Sequence, residues 1–401
     1  MRQLLFLFLK SITCWQRLMR NLKGKSESDI HAERIVSGKA WDEFCDNLKV
    51  AGAALHYQGT PLDAYNQAEG IRYLSRLTRA GLEAFIEYND PAFPILRRMV
   101  HETVKMGADN PDNYYFNAQI DGSKFEYRIK GKRNTVHYFG FFTQNGDYGS
   151  TGGMAPCGQL DHHQINYEPD GSFEVILSKK PRGKNWLKME DATGLLIVRQ
   201  TFFNRLEEIP AELHIENLNG RKAPDPITPV MVDEGLKKAG LFVGGASLLF
   251  SRWTNGFKKH ANTLPLFDPA TSNAAGGDPN IIYYHSYWKL EPDESLVIEV
   301  KPPGCDSWNF QLNNYWMESL DYRFFTVCIN KASAVCEPDG TVNVIVAHAD
   351  PGHPNWLNTC GHTEGTMCWR WYRLQEGENP VEPTCKVIIK DEGRRTKNAS
   401  L

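Results

Sequence analysis

Two stretches of this chain carry the same four landmarks in the same order, and that repetition constrains the fold more than any other feature. Glu168-Pro169-Asp170-Gly171 is followed after thirteen residues by Asn185-Trp186-Leu187, then by Gly194 and Arg199. Glu337-Pro338-Asp339-Gly340 is followed after fourteen residues by Asn355-Trp356-Leu357, then by Gly365 and Arg370. A Glu-Pro-Asp-Gly run alone is only a turn, proline presetting one dihedral and glycine accepting a positive one. Four landmarks spaced alike to within one residue imply one template used twice. Upstream, Tyr127 to Thr143 and Val297 to Asn313 share a strand, a basic or glycine turn and an aromatic-rich strand.

The template is β-rich. Phe125, Tyr127 and Ile129 alternate with Glu126, Arg128 and Lys130, and this two-residue period runs to about Ile215, then resumes from Ile281 to Ile389. The predicted fold is mainly β with an α-helical N-terminal segment: two tandem, diverged β-sandwich or jelly-roll units from an internal duplication. Residues 1–30 read as a flexible leader, 31–113 as the helical segment, 114–220 as the first β unit, 221–280 as a helical insertion or lid, 281–390 as the second unit and 391–401 as a tail. Within the helical segment, Trp41, Phe44, Leu48, Ala51 and Leu55 predict one amphipathic helix and Ile71, Leu74, Leu77, Leu82 and Phe85 a second, ended by Asn89-Asp90-Pro91. A third is expected from Pro94 through Met106, with Gly107 as its stop. The apolar core of the insertion, Leu241 to Phe250, is half the ~20 residues a bilayer requires, so no stable membrane span is expected.

A net charge of −3, with no basic stripe, argues against a nucleic-acid partner. Nine cysteines without a CxxC pair indicate neither a disulfide framework nor a zinc ribbon, which points to a reducing, cytoplasmic setting. The apolar run Leu4 to Leu9 is cut by Lys10 and lacks a clean cleavage site for a signal peptide.

Ala68-Glu69-Gly70-Ile71-Arg72-Tyr73-Leu74, then Gly107-Ala108-Asp109-Asn110-Pro111-Asp112-Asn113, and the run Val346 to Gly365 ending in Thr366-Met367-Cys368-Trp369-Arg370-Trp371 resemble the bacterial DUF 1214 family, over roughly residues 35–390. The resemblance implies two jelly-roll-like β domains and brings no reaction with it.

His348, Asp350, His353, His362 and Glu364 form the densest polar cluster in the chain. Imidazole and carboxylate suit a divalent metal, with His348, Asp350 and His353 as candidate ligands, since residues two apart on a strand share a face. The competing reading is a proline-rich loop whose side chains bond nearby backbone. The equivalent turn of the first unit offers Lys179, Lys180, Arg182 and Lys184 instead, so the two copies do not bind alike. Asp161-His162-His163 places at most one imidazole toward any pocket if the segment is extended. Arg199 and Arg370 occupy matching positions among apolar neighbours, which favours structural pairing, with anion recognition by Arg370 as the alternative. Trp186 and Trp356 read as core anchors. No GxSxG elbow, P-loop or dinucleotide fingerprint occurs.

The expected function is an enzyme acting on a hydrophobic small molecule of secondary-metabolite, terpenoid or lipid type, at a pocket between the two β units. His348, Asp350, His362, Glu364 and Arg370 are its candidate catalytic residues. The alternative is a non-catalytic carbohydrate- or lipid-binding β-sandwich protein. The sequence leaves substrate, reaction, bound metal and oligomeric state open.

Overall fold

Ser26 starts the first helix of the described residues with a reciprocal cap: its hydroxyl accepts from the Asp29 amide and the Asp29 carboxylate accepts from the Ser26 amide. Helix α1 (Glu27–Val36) therefore begins inside the stretch expected to be leader. The computed structural model describes residues 26–149 and 154–389. The apolar run at residues 4–9, the rest of the leader and the 391–401 tail lie outside them.

The N-terminal segment continues with α2 (Lys39–Ala51) and α3 (Ala64–Leu82), the latter capped by Asp63. The insertion contributes α4 (Pro229–Phe257), capped by Thr228 with proline in its first turn, and the short α5 (Pro269–Ala274). Ala239, Phe242 and Val243 of α4 are buried with Phe44, Leu77, Ala80 and Phe85, so α4 packs into the layer formed by the N-terminal helices. Trp316 of the second β unit reaches into the same core. Gly70 admits it, because a Cβ there would lie 2.4 Å from the indole. No helix among the described residues is long and apolar enough to cross a membrane.

The third expected helix does not form. Pro94 to Pro111 instead holds strand β1 (Arg97–Val100), which pairs antiparallel with β2 (Asn113–Gln119), and a turn closed by the His101–Val104 bridge. Met99 and Val104 are buried there, so edge pairing and packing override a spacing that fits a helix.

The first unit then runs β3 (Tyr127–Lys132), β4 (Tyr138–Asn145), β5 (Ala155–Asp161), β6 (Ser172–Ser178), β7 (Trp186–Lys188), β8 (Thr193–Thr201) and β9 (Glu212–Asn217). The second runs β10 (Ile281–Lys289), β11 (Glu294–Val300), β12 (Cys305–Leu312), β13 (Cys328–Asn330), β14 (Val342–Ala347), β15 (Trp356–Asn358), β16 (Glu364–Leu374) and β17 (Thr384–Ile389). Sheet order β2-β8-β4-β5 in the first unit matches β10-β16-β12-β13 in the second, and β7-β6-β3-β9 matches β15-β14-β11-β17. Strand for strand the order repeats, with β1 added at one edge.

The shared landmarks do the same work in both units. Asn185 donates to the carbonyls of Asn166 and Glu174 and accepts from the Asn166 amide. Asn355 donates to the carbonyls of Val335 and Asn343 and accepts from the Val335 amide. Each asparagine ties the segment just before the Glu-Pro-Asp-Gly turn to the strand just after it, β6 or β14. Trp186 and Trp356 differ from expectation: each is half-buried, its indole N–H donating to Ser178 O or Ala347 O, while the fully buried anchors are Leu187 and Leu357.

Alternation sorts the inner sheets into two faces. In β16, Met367, Trp369 and Trp371 fill the second sandwich with Leu296, Ile298, Val344 and Val346. Cys368, Arg370 and Tyr372 face the other way. In the first unit Phe139, Phe141, Leu196 and Val198 meet Ile129, Val175 and Leu177, leaving Arg199 and Tyr138 on the opposite face. These second faces meet each other: Tyr138 stacks edge-on against Tyr372, Asn309 donates to Asn110, Asn330 donates to Phe203 O, and Arg373 pairs with Asp161.

Candidate functional site

One rung repeats across the two inner sheets. Arg199 of β8 stands between Tyr115 of β2 and Gly140 of β4; Arg370 of β16 stands between Tyr283 of β10 and Asn309 of β12. Two residues further along β2 and β10 come Asn117 and His285. All of these except Gly140 and Asn309 line a cavity of about 120 Å³ between the units, roofed by Phe250 and Trp253 of α4 and bounded by Gly276 and Gly277.

Both guanidinium groups are buried and bonded only to neutral acceptors. Arg370 donates to Ala108 O at 2.6 Å, Gln311 Oε1 at 2.5 Å and Asn309 Oδ1 at 3.3 Å. Arg199 donates to Gly276 O and lies 4.8 Å over the Phe142 ring, and its Nη1 has no partner. Among the described residues no carboxylate lies within ion-pair distance, 4.0 Å, of either. Asp278 and Asp112 act on them only at longer range, and burial pushes Asp112 up to about 6. A buried cation without a close counter-ion costs on the order of several kcal/mol, which a bound anion would offset.

Further donors converge on the same space. Asn117 Nδ2 is buried without a partner. Tyr115 Oη accepts from the Asn110 amide, Tyr372 Oη from Asn110 Nδ2, and Tyr283 Oη from the Asp278 amide, so each hydroxyl keeps its own proton to donate. Burial holds all three phenols above their ordinary value, in the protonated form. His285 is stacked parallel to Phe257 and Tyr283, with its Nε2 3.8 Å from Cys368 Sγ and its Nδ1 unpartnered. Burial, then the neighbouring Arg370, push it down to about 3, so the ring is neutral at physiological pH.

The loop Gly107 to Asn113, read above only as a family landmark, builds one wall. Gly107 (φ +64°) leaves room for Phe250, whose ring would lie 2.8 Å from a Cβ. Ala108 also sits at positive φ (57°), a conformation costing about 1 kcal/mol outside glycine. It is held by its amide donating to Met317 O at 2.7 Å and by Arg370 on its carbonyl. Strain maintained by a buried arginine is a feature of built sites.

The expected His/Asp cluster does not converge. His348 bonds Thr359 Oγ1 and Glu291 O through its two nitrogens, Asp350 is exposed and accepts from the Gly352 amide, and His353 accepts from the Asn355 amide. Glu364 accepts from Tyr287 Oη at 2.7 Å. His362 is buried against Glu69 Oε2 at 2.9 Å and Thr359 O at 2.9 Å, in a separate polar cavity of about 170 Å³. Of the five candidate catalytic residues, Arg370 alone lines the inter-unit cavity. Among the described residues the group of three or more His, Cys, Asp and Glu whose ligand atoms all lie within 4.8 Å of one another is His31, Asp233 and Glu234, not His348, Asp350 and His353. Asp233 there is already bonded to His31 and paired with the cations Arg34 and Lys237, which disfavours a metal ion. His162 and His163 lie in a turn with ring centroids 3.9 Å apart, not on opposite faces of a strand, and burial pushes His162 down to about 3. Burial likewise raises the Cys360 and Cys368 thiols to about 11, as inert thiols require.

Comparison with known proteins places the chain. A family model described as "Protein of unknown function (DUF1214)" matches residues 117–201. The crystal structure of an uncharacterized protein from Burkholderia cenocepacia is 48% identical in sequence, with a TM-score of 0.86, over 89% of this chain and 99% of the other. The VPA0106 protein from Vibrio parahaemolyticus overlaps 85% of this chain and all of its own at 13% identity and a TM-score of 0.45, too low to support any argument. No curated protein matches the chain. With near-complete coverage of a relative at almost half identity, and the family model on most of the first β unit, the chain belongs to the DUF1214 family.

Proposed function

We propose that the cavity between the two β units is the active site of an enzyme of small-molecule metabolism whose substrate is a small organic anion, a carboxylate with an apolar body no larger than about one ring. The observation supporting this reading is the pair of buried arginines, one from each unit, that lack a close carboxylate and share the cavity with an unpartnered amide and three hydroxyl donors. Guanidinium groups recognise carboxylates through paired, charge-assisted hydrogen bonds. The size limit follows from volume, since an engineered cavity of about 150 Å³ holds benzene. A terpenoid or lipid body would exceed the enclosed part of the cavity. An enzyme is favoured over a carbohydrate- or lipid-binding module because the aromatic rings of the inner sheets are buried rather than displayed, and because His285 brings a neutral imidazole nitrogen into the cavity. A cytoplasmic setting accords with the eight free cysteines of the described residues.

The test is isothermal titration with short and aromatic monocarboxylates beside their primary amides. Acids are expected to bind and amides not to, with affinity reduced at least tenfold by Arg199→Gln. Equal binding of acid and amide, or an Arg199→Gln variant that binds as well as the native protein, would sink the reading.

A further inference from the structure

The donors in the cavity outnumber its acceptors, and His285 is where that imbalance changes. Its Nε2 faces Cys368 Sγ, and the same thiol lies 3.7 Å from Trp369 O. Taking the thiol proton as directed to that carbonyl makes Nε2 the protonated nitrogen that points at sulfur. Nδ1 is then a bare lone pair, in a residue 6% exposed, turned toward the cavity. The matching position of the first unit holds Asn117, whose Nδ2 is an unpartnered donor. The two walls thus differ in kind at equivalent points: one offers N–H groups, the other an acceptor.

Resting on the anion reading above, we infer that the substrate is a hydroxycarboxylate: its carboxylate meets Arg199, Arg370 and Asn117, and its hydroxyl donates to His285 Nδ1. A carboxylate alone leaves Nδ1 unsatisfied and buried, which costs roughly 1–3 kcal/mol, whereas a hydroxyl on the same ligand satisfies it. Discrimination against a ligand that lacks a matching donor is strong for this reason, because the site's own polar group is stranded by the wrong ligand. The ring is also held for the purpose. Parallel stacking at 5.6 Å on Phe257 and 5.7 Å on Tyr283, with Phe267 edge-on at 5.1 Å, fixes its plane. His285 is accordingly a specificity residue on this reading.

The experiment is titration of the native protein with matched pairs: benzoate against 2-, 3- and 4-hydroxybenzoate, and butanoate against 2- and 3-hydroxybutanoate. At least one hydroxylated member is expected to bind tenfold or more tightly than its parent acid. His285→Phe, which keeps the aromatic stack and removes the stranded lone pair, is expected to erase that preference, the hydroxylated acid binding no more tightly than its parent. If the Phe variant does not fold, His285→Gln serves, with the preference reduced rather than erased. Parent acids that bind as tightly as every hydroxylated partner would overturn the hydroxyl inference and leave the anion reading standing. A native protein that binds none of these acids would overturn both.

Discussion

Replacing His285 by phenylalanine should make the protein markedly less sensitive to acid. In the native structure the imidazole is neutral because burial, reinforced by Arg370, holds its folded value near 3, against an ordinary 6.5. Between those two values the unfolded chain binds a proton that the folded chain refuses, so stability contributed by this group is complete above pH 6.5 and lost as the pH falls below it. At about 1.4 kcal/mol per pH unit, acidification from pH 7 to pH 4 removes about 3 kcal/mol through His285 alone. His162, also pushed down to about 3 by burial, removes a similar amount. Asp112 works in the opposite sense. Its folded value is raised to about 6, so its buried charge weakens the fold above that pH, and protonation returns about 2 kcal/mol on the way down. The whole-protein slope mixes all of these, and the difference between variant and native isolates one. Urea unfolding at pH 7 and pH 4 should show the His285→Phe variant losing about 3 kcal/mol less than the native protein over that interval. Equal losses in the two would mean that His285 titrates in the folded state near its ordinary value and that burial does not keep its ring neutral in acid.

Asn117→Leu removes a buried donor that has no partner, so the unliganded protein should be unchanged or up to about 1 kcal/mol more stable in urea, while carboxylate affinity falls in titration. Asn185→Ala and Asn355→Ala each strand two carbonyls and an amide, and each should cost roughly 2–4 kcal/mol by the same measurement, the pair agreeing within about 1 kcal/mol because the bonds are equivalent. Gly107→Val drives side-chain atoms into Phe250 at a positive φ. It should lower the melting temperature and abolish ligand binding by closing the roof of the cavity. Extended dialysis against a chelator should leave the thermal unfolding curve unshifted, since His348, Asp350 and His353 already find their partners within the protein.

Much of the architecture was legible because it is written in local patterns. Two-residue alternation marks the strands, the repeated landmarks anticipate a repeated strand order, and Thr228-Pro229 opens the long helix where the apolar segment begins. The 94–106 stretch misleads because Leu96, Val100 and Val104 recur at helical steps, yet Met99 and Val104 are buried from an edge strand and the turn after it. The site was hidden for a different reason. Density along the sequence drew attention to His348, Asp350 and His353, but polar residues two apart in a loop satisfy each other's backbone first, as Asp350 does with Gly352 and His353 with Asn355. The cavity takes about one polar residue from each of several strands, so no window of the sequence contains it. Arg370 was flagged by its tryptophan neighbours, whereas Arg199, given a structural role, and His285 were not. Pairing the repeated Gly-to-Arg strand with the strand before each unit would have found them, since Tyr115 and Tyr283 then fall opposite the two arginines.

The location of the cavity follows from what each inner sheet must bury. One face of β16 is spent on the sandwich core, where Trp369 and Trp371 leave no polar atom room beyond their own indoles. The other face is equally buried but lined with Cys368, Arg370 and Tyr372, and it can be covered only by a surface that answers its hydrogen bonds. The equivalent face of the first unit does this at the rim, through Asn110, Tyr138 and Asp161. At the centre the two arginines stand at matching positions of matching sheets, and like charges cannot satisfy one another across the join. Two polar faces of the same design therefore leave an unmet requirement for negative charge where they meet. On the proposed reading, the replacement of Asn117 by its counterpart His285 makes that requirement directional, a ligand bearing both an anion and a donor fitting in one orientation.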